Sequence, residues 1–243
     1  SDSQDLYSGG PCTGIVGGTV GYVFQYSQIR RVVYAPGAPE IFQIDVVEEQ
    51  RGCISPGSIV QVGRQVYFRS LDGFYMLDIG SGSAVPIDSK KIRRWFRDHI
   101  KGGTDLYVVG GYDPVNRLVK WAFVGAVSSG TAATHQLIYD LELGEWTYSD
   151  EPSQGFLTYA GDGQTLESLD SFGTMDTLPY SLDSAFWNGS GGAHGQFGTD
   201  RKLGLLTGPN RAATIETCDY RVEGGANTSI SASIPMIDTQ SAT

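Results

Sequence analysis

Gln65-Val-Tyr-Phe-Arg-Ser-Leu-Asp-Gly-Phe-Tyr-Met-Leu-Asp78 reads as two strands and the turn between them. β-Branched and aromatic residues fill both runs, and Asp72-Gly73 between them is the strongest short-range hairpin signal. The same grammar extends in both directions. Gly21-Tyr-Val-Phe-Gln-Tyr26 and Ile29-Arg-Arg-Val-Val-Tyr34 flank Ser27-Gln28, and Ile41-Phe-Gln-Ile-Asp-Val-Val47 follows a Pro36-Gly37-Ala38-Pro39 turn. Downstream, Leu106–Val109 and Arg117–Val124 flank Asp113-Pro114-Val-Asn116, a turn set by proline at its second position. Leu137–Asp140 with Glu145–Tyr148 forms a further pair, and Phe156–Tyr159 with Thr165–Leu169 another around Asp162-Gly163.

A loose internal repeat underlies these hairpins. Tyr67–Asp78 aligns with Leu157–Asp170, and Leu137-Ile-Tyr-Asp-Leu-Glu-Leu-Gly-Glu-Trp146 carries the second half of the same phrase. The unit spacing of about 40–50 residues is that of propeller blades. Both faces of a blade are buried, which accounts for apolar runs only partly broken by polar residues. The expected fold is therefore all-β, mainly antiparallel, with propeller-like blades; an irregular β-sandwich is the alternative. Residues 1–175 read as the propeller-like part, and 176–243 as a Gly/Ser-rich loop with additional strands. The alternation of Ser229-Ile-Ser-Ala-Ser-Ile234 so near the last residue gives the chain the look of a piece of a longer polypeptide.

One segment has a different period. In Asp88-Ser-Lys-Lys-Ile-Arg-Arg-Trp-Phe-Arg-Asp-His-Ile-Lys-Gly102, Ile92, Trp95, Phe96 and Ile100 fall at helical spacing. This predicts one amphipathic helix near 89–101, capped by Asp88 or Ser89 at its start and Gly102 at its end. Trp95 and Phe96 are expected to lie buried beneath it. Lys90, Lys91, Arg93, Arg94, Arg97 and Lys101 cover its other face, six of the chain's 17 basic residues. Such a face is either solvated, or docks an acidic protein, or touches nucleic acid.

The 243 residues carry 27 Asp and Glu against 17 Lys and Arg, a formal charge of −10, so the chain as a whole does not wrap nucleic acid electrostatically. No run approaches the roughly 18 apolar residues of a membrane helix. Disorder is excluded by 40% hydrophobic and 11% aromatic residues, enough to fill a core. Cys12, Cys53 and Cys218 are too few and too far apart for a disulfide framework or a zinc site, and read as reduced thiols. The sequons at Asn188 and Asn227 are the kind that arise by chance in a Ser- and Gly-rich chain.

Residues in a chemically competent arrangement are sparse. His99, His135 and His194 are the only histidines, and none has a second ligand at metal-binding spacing. No nucleophile elbow, phosphate-binding loop or dinucleotide fingerprint is present. Gly189-Ser-Gly-Gly-Ala-His-Gly195 reads as a mobile loop. Ala160-Gly-Asp-Gly-Gln-Thr165 has some likeness to the Asp-box of sialidase propellers, but its spacing differs and the aromatic is missing. No catalytic residue, cofactor or metal is assigned.

Ordered phrases from Pro11 to about Tyr148 carry a resemblance. They are Gly21–Tyr34, Pro39–Ile44, Gly52-Cys-Ile-Ser-Pro-Gly-Ser-Ile-Val-Gln-Val-Gly63, Val66–Tyr75, Pro86-Ile87 leading to Ile92–Phe96, Asp113–Trp121 and Leu137–Trp146. Together they resemble the propeller-forming tail hub and nozzle proteins of short-tailed bacteriophages, including the packaged-DNA stabilisation proteins. The resemblance implies a structural virion protein without catalytic residues. Its subunits would form a ring, usually sixfold, below the portal and adaptor, with genome DNA passing non-specifically through the lumen. It also implies assembly in the host cytoplasm and no membrane insertion. Acid facing that lumen would let DNA slide rather than stick. The remaining readings are a carbohydrate-binding or glycoside-cleaving propeller and a kelch- or WD-like interaction scaffold.

Overall fold

A computed structural model describes residues 6–18, 20–37, 41–159 and 193–205. The chain is all-β apart from one α-helix and two single 3₁₀ turns among these residues. Four antiparallel sheets follow one another along the chain. The first contains β1 (Cys12–Val16), β2 (Gly21–Gln25), β3 (Ile29–Tyr34) and β4 (Phe42–Glu48). The second contains β5 (Val60–Val62), β6 (Gln65–Arg69), β7 (Phe74–Asp78) and β8 (Ala84–Pro86). After α1 (Lys90–His99) comes the third, with β9 (Val109–Asp113), β10 (Leu118–Phe123), β11 (His135–Asp140) and β12 (Trp146–Ser149). The fourth has β13 (Gly155–Tyr159), β14 (Ala193–Phe197) and β15 (Leu203–Leu205).

Each sheet is a plain meander in chain order, and the first strands of successive sheets lie side by side, β5 against β9 and β9 against β13. These are blade-like units, beginning 48, 49 and 46 residues apart.

Strand alternation divides the core into layers between blades. Val66, Phe68, Tyr75 and Leu77 point from the second sheet towards Val16, Tyr22, Phe24 and Ile29 of the first. Their neighbours Tyr67 and Phe74 point the other way, into a layer with Val119, Trp121, Phe123 and Leu137 of the third. The second sheet is thus buried on both faces. The third interface is polar instead. Lys120 and Asp113 form a buried ion pair there (3.4 Å), and Gln136 donates to Gln196 Oε1 (2.9 Å). The opposite face of the first sheet is mixed and partly open: Ile15 pairs with Val23, and Val46 with Arg30, with Ile15 76% exposed.

The repeat is clearest at the turns between third and fourth strands. The Asp78 carboxylate accepts the Ser81 amide, and that of Asp140 accepts the Glu142 and Leu143 amides. Four residues on, the Gly82 and Gly144 amides donate to the Asp78 and Asp140 carbonyls. Both glycines adopt left-handed φ (71° and 70°), which glycine reaches at little cost.

Several sequence expectations need correction. Leu106–Val109 is not the strand: residues 105–107 form a 3₁₀ turn, and β9 starts at Val109 and runs through Gly110 and Gly111. Those glycines interrupt the apolar pattern because neighbouring blades abut there. A Cβ on Gly111 would sit 2.2 Å from Phe156 Cβ, and one on Gly110 2.5 Å from Val60 Cγ2. Phe156–Tyr159 is a first strand, not a second, and its hydrogen-bonded partner is β14. Ala193, His194 and Gly195 accordingly belong to a strand and not to a loop, and His194 is buried. The expected strand 165–169, Asp162-Gly163, Cys218, Asn188, Asn227 and Ser229–Ile234 lie outside the described residues.

Candidate functional site

In a four-stranded meander, the turn between second and third strands and the link to the next blade emerge at the same end. On this connection face lie α1 and the Asp72-Gly73 turn. The 3₁₀ turn Pro56–Ser58 before β5, residues 105–107 before β9, and Gln154 before β13 lie there too. Hydrogen bonds tie these starts together. Ser55 Oγ donates to the Val108 carbonyl (2.7 Å), and Trp121 Nε1 donates to that of Ser58 (3.0 Å).

Helix α1 forms because its apolar stripe fits the layer between the second and third blades. Phe96 is 2% exposed, with its ring centre 5.1 Å from Phe74 and 4.9 Å from Phe123. Trp95 is only half-buried, contrary to the sequence expectation. It stacks on His99 (4.3 Å), meets the exposed Tyr148 at a tilt (4.7 Å) and reaches the core edge-on at Phe123 (6.3 Å), because it flanks the outer strand β12. Ser89 caps the start, its hydroxyl accepting the Ile92 amide at 3.4 Å. Gly102 does not cap the end: the helix stops where Ile100 turns extended and bridges Gly125.

Asp88 has a different task. Its side chain is fully buried, accepting the Phe74 amide (3.1 Å) and Arg93 Nε (2.8 Å). Burial pushes its carboxyl up even with Arg93 beside it, whereas Asp88 pushes the one-third-exposed Arg93 up. The guanidinium retains enough water to lose little on pairing, while the carboxylate does not. The same contact explains Gly73, where a Cβ would lie 2.5 Å from Asp88 Oδ2. The neighbouring Asp72 accepts the Tyr75 hydroxyl (2.7 Å).

The basic face is thus uneven. Arg93 is committed to Asp88. Arg94 and Arg97, 80% and 76% exposed, share Asp98 at 3.7 and 4.0 Å. Exposed ion pairs of this kind contribute about 0–1 kcal/mol and leave the cations available. Lys90 and Lys91 are exposed and have no ion-pair partner among the described residues. Lys101 Nζ donates to the Gly130 carbonyl (2.8 Å).

Arg69 carried no signal in the sequence, yet it organises this face from below. It is 7% exposed, donates to the Ser70 and Gly73 carbonyls, and pairs with Asp105 at 3.7 Å. Its guanidinium lies over the Phe74 and Phe96 rings.

Asp113 and Pro114 sit on the opposite face. The Asp113 carboxylate accepts the Val115 and Asn116 amides, Asn116 Nδ2 and Lys120 Nζ. Although burial pushes the Asp113 carboxyl up, Asn116 and Lys120 outweigh it and hold it below its ordinary value. Burial, then the Lys120 charge, pushes His194 down. Among the described residues neither ring nitrogen of His194 has a hydrogen-bond partner of normal geometry, and its ring stacks on Phe156. Asp113, Lys120 and His194 are 1%, 6% and 6% exposed, so the trio joins the third blade to the fourth and offers no surface to a substrate. The strand alternation of Val119-Lys120-Trp121 hinted that Lys120 leaves the aromatic layer, but its partner was not legible.

No group of three or more His, Cys, Asp and Glu able to hold a metal exists among the described residues. No helix among them is long and apolar enough to cross a membrane. The first strands β1, β5, β9 and β13 carry no lysine or arginine, and Asp113, their single acid, is buried. Comparison with protein-family models and with curated proteins finds no match.

Proposed function

We propose that this chain is a structural protein of a phage tail, a hub or nozzle subunit that forms a ring below the portal and adaptor and performs no catalysis. The observation that carries the reading is the cationic face of α1, displayed at the connection face of an otherwise acidic array of blades. Identical subunits of charge −10 repel one another, and a local basic face set against a neighbour's acid offsets part of that repulsion. A closed ring requires a heterologous interface, one patch against a different one, and a basic helix against an acidic surface satisfies this. The ordered phrases from Pro11 to Tyr148 supply the viral context.

In this reading the genome passes non-specifically through the lumen of the ring. The virion tail is then the protein's place, reached after assembly in the host cytoplasm, with the portal, the adaptor and other tail proteins as neighbours. The test is reversal of Lys91, Arg94 and Arg97 to Glu. Sedimentation at low salt, where screening is least, is expected to show loss of assembly with an unchanged β spectrum. A triple variant that assembles like the parent overturns α1 as the interface.

A further inference from the structure

A cavity of about 330 Å³ opens on the connection face, among the segments that lead into β5, β9 and β13. It lies near the small end of the roughly 300–1,000 Å³ range of pockets that hold a ligand. Pro56, Leu106, Tyr107, Val109 and Thr131 line it with Gln154, and among the described residues no charged side chain does. Buried Val108 forms part of the wall, while Leu106 and Tyr107 stand 56% and 58% exposed at the rim. Hydrogen bonds tie the segment that forms the cavity's Thr131 edge to the end of α1. The Ala126 amide donates to the His99 carbonyl, and the Lys101 amide to that of Val124. Lys101 Nζ holds the Gly130 carbonyl, next to Thr131. A partly apolar socket is therefore fixed beside the C-terminal end of α1.

The same chain carries a matching knob on its other face. Asp140-Leu-Glu-Leu-Gly-Glu145 forms the turn between β11 and β12, which emerges opposite the connection face. Leu143 projects from it, 74% exposed, between the exposed Glu142 and Glu145. The turn is preformed, because the Asp140 carboxylate holds the Glu142 and Leu143 amides and Gly144 closes it. Arg117 meets Glu142 at 3.2 Å, but both are about 60% exposed, so the pair is easily exchanged.

We propose that the cavity and the cations nearest the end of α1 form the socket for the acidic β11–β12 turn of a second copy, with Leu143 entering the cavity and Glu142 and Glu145 facing Arg94 and Arg97. Socket and knob lie on opposite faces, so the contact is head-to-tail and can propagate. The apolar anchor supplies affinity and the surrounding charges set orientation. Nucleic acid suits the socket less well, since no cation among the described residues lines the cavity and Asp98 stands between Arg94 and Arg97. The inference rests on the reading of α1 as a contact between copies and names what it contacts.

The test uses two variants of the full chain at exposed positions. Leu143→Ser removes the knob and Thr131→Trp fills the socket. Each alone is expected to raise the dissociation constant of self-association about ten- to a hundredfold, the effect of keeping one leucine out of an apolar pocket. An equimolar mixture pairs the intact socket of the first with the intact knob of the second. It is expected to restore dimers and nothing larger in analytical ultracentrifugation. Variants that associate like the parent, a mixture that stays monomeric, or a parent that never associates overturn the proposal. If reversing the α1 charges abolishes association while both apolar variants leave it intact, the ring reading stands and the Leu143 socket fails.

Discussion

Replacing Phe96 by Ala removes the side chain that joins α1 to two blades. Phe96 is 2% exposed, makes edge contacts with Phe74 and Phe123, and has the Arg69 guanidinium 5.1 Å from its ring. Phe-to-Ala changes at such sites cost about 3–5 kcal/mol, transfer and cavity terms together. At about 2–4 °C per kcal/mol for a domain of 150–250 residues, the midpoint should fall by about 6–20 °C. Trp95→Ala should cost less, about 1–3 kcal/mol, because half-buried Trp95 already gives part of its surface to water. Urea denaturation followed by far-UV circular dichroism measures both. A Phe96→Ala change within about 1 kcal/mol of the parent, or one smaller than that of Trp95→Ala, would refute this packing of α1.

Two further outcomes follow from close contacts and buried charge. A Cβ on Gly52 would meet the Gln25 carbonyl oxygen at 2.1 Å and the Ser27 amide nitrogen at 2.6 Å, so Gly52→Ala should destabilise by at least about 1–3 kcal/mol, whereas Gly102→Ala, with nothing within 4 Å, should be near neutral in the same thermal melts. His194 is held down by burial and Lys120, so the unfolded chain binds its proton at a higher pH than the native one. Stability should therefore fall as pH drops through the ordinary histidine value of about 6.5. His194→Phe, which keeps the ring on Phe156, should flatten that fall between about pH 7.5 and 5.5. Asp113, held low, acts in a separate window, its contribution lost only below about pH 4.

The hairpin around Asp72-Gly73 and the helix were legible because local period and turn chemistry agree there. Leu137–Trp146 was legible as a repeat because Asp140 and Gly144 reproduce the turn built by Asp78 and Gly82. Gly110 and Gly111 misled: glycine punctuates loops, but here it lets the β9 backbone meet Val60 and Phe156. The pairing of β13 with β14 spans 33 intervening residues, and no local signal encodes so distant a partner. The cations of α1 were legible as a group, but their inequality was not. Arg93 is committed by Asp88, whose burial depends on the β6–β7 turn folding against it.

Negative-stain electron microscopy of the purified chain at low salt tests the ring most directly. The structural reading predicts closed rings with a central lumen, and on the parent particle a ring centred on the tail axis. Monomers at every concentration, or a peripheral spike in place of an axial ring, would contradict it.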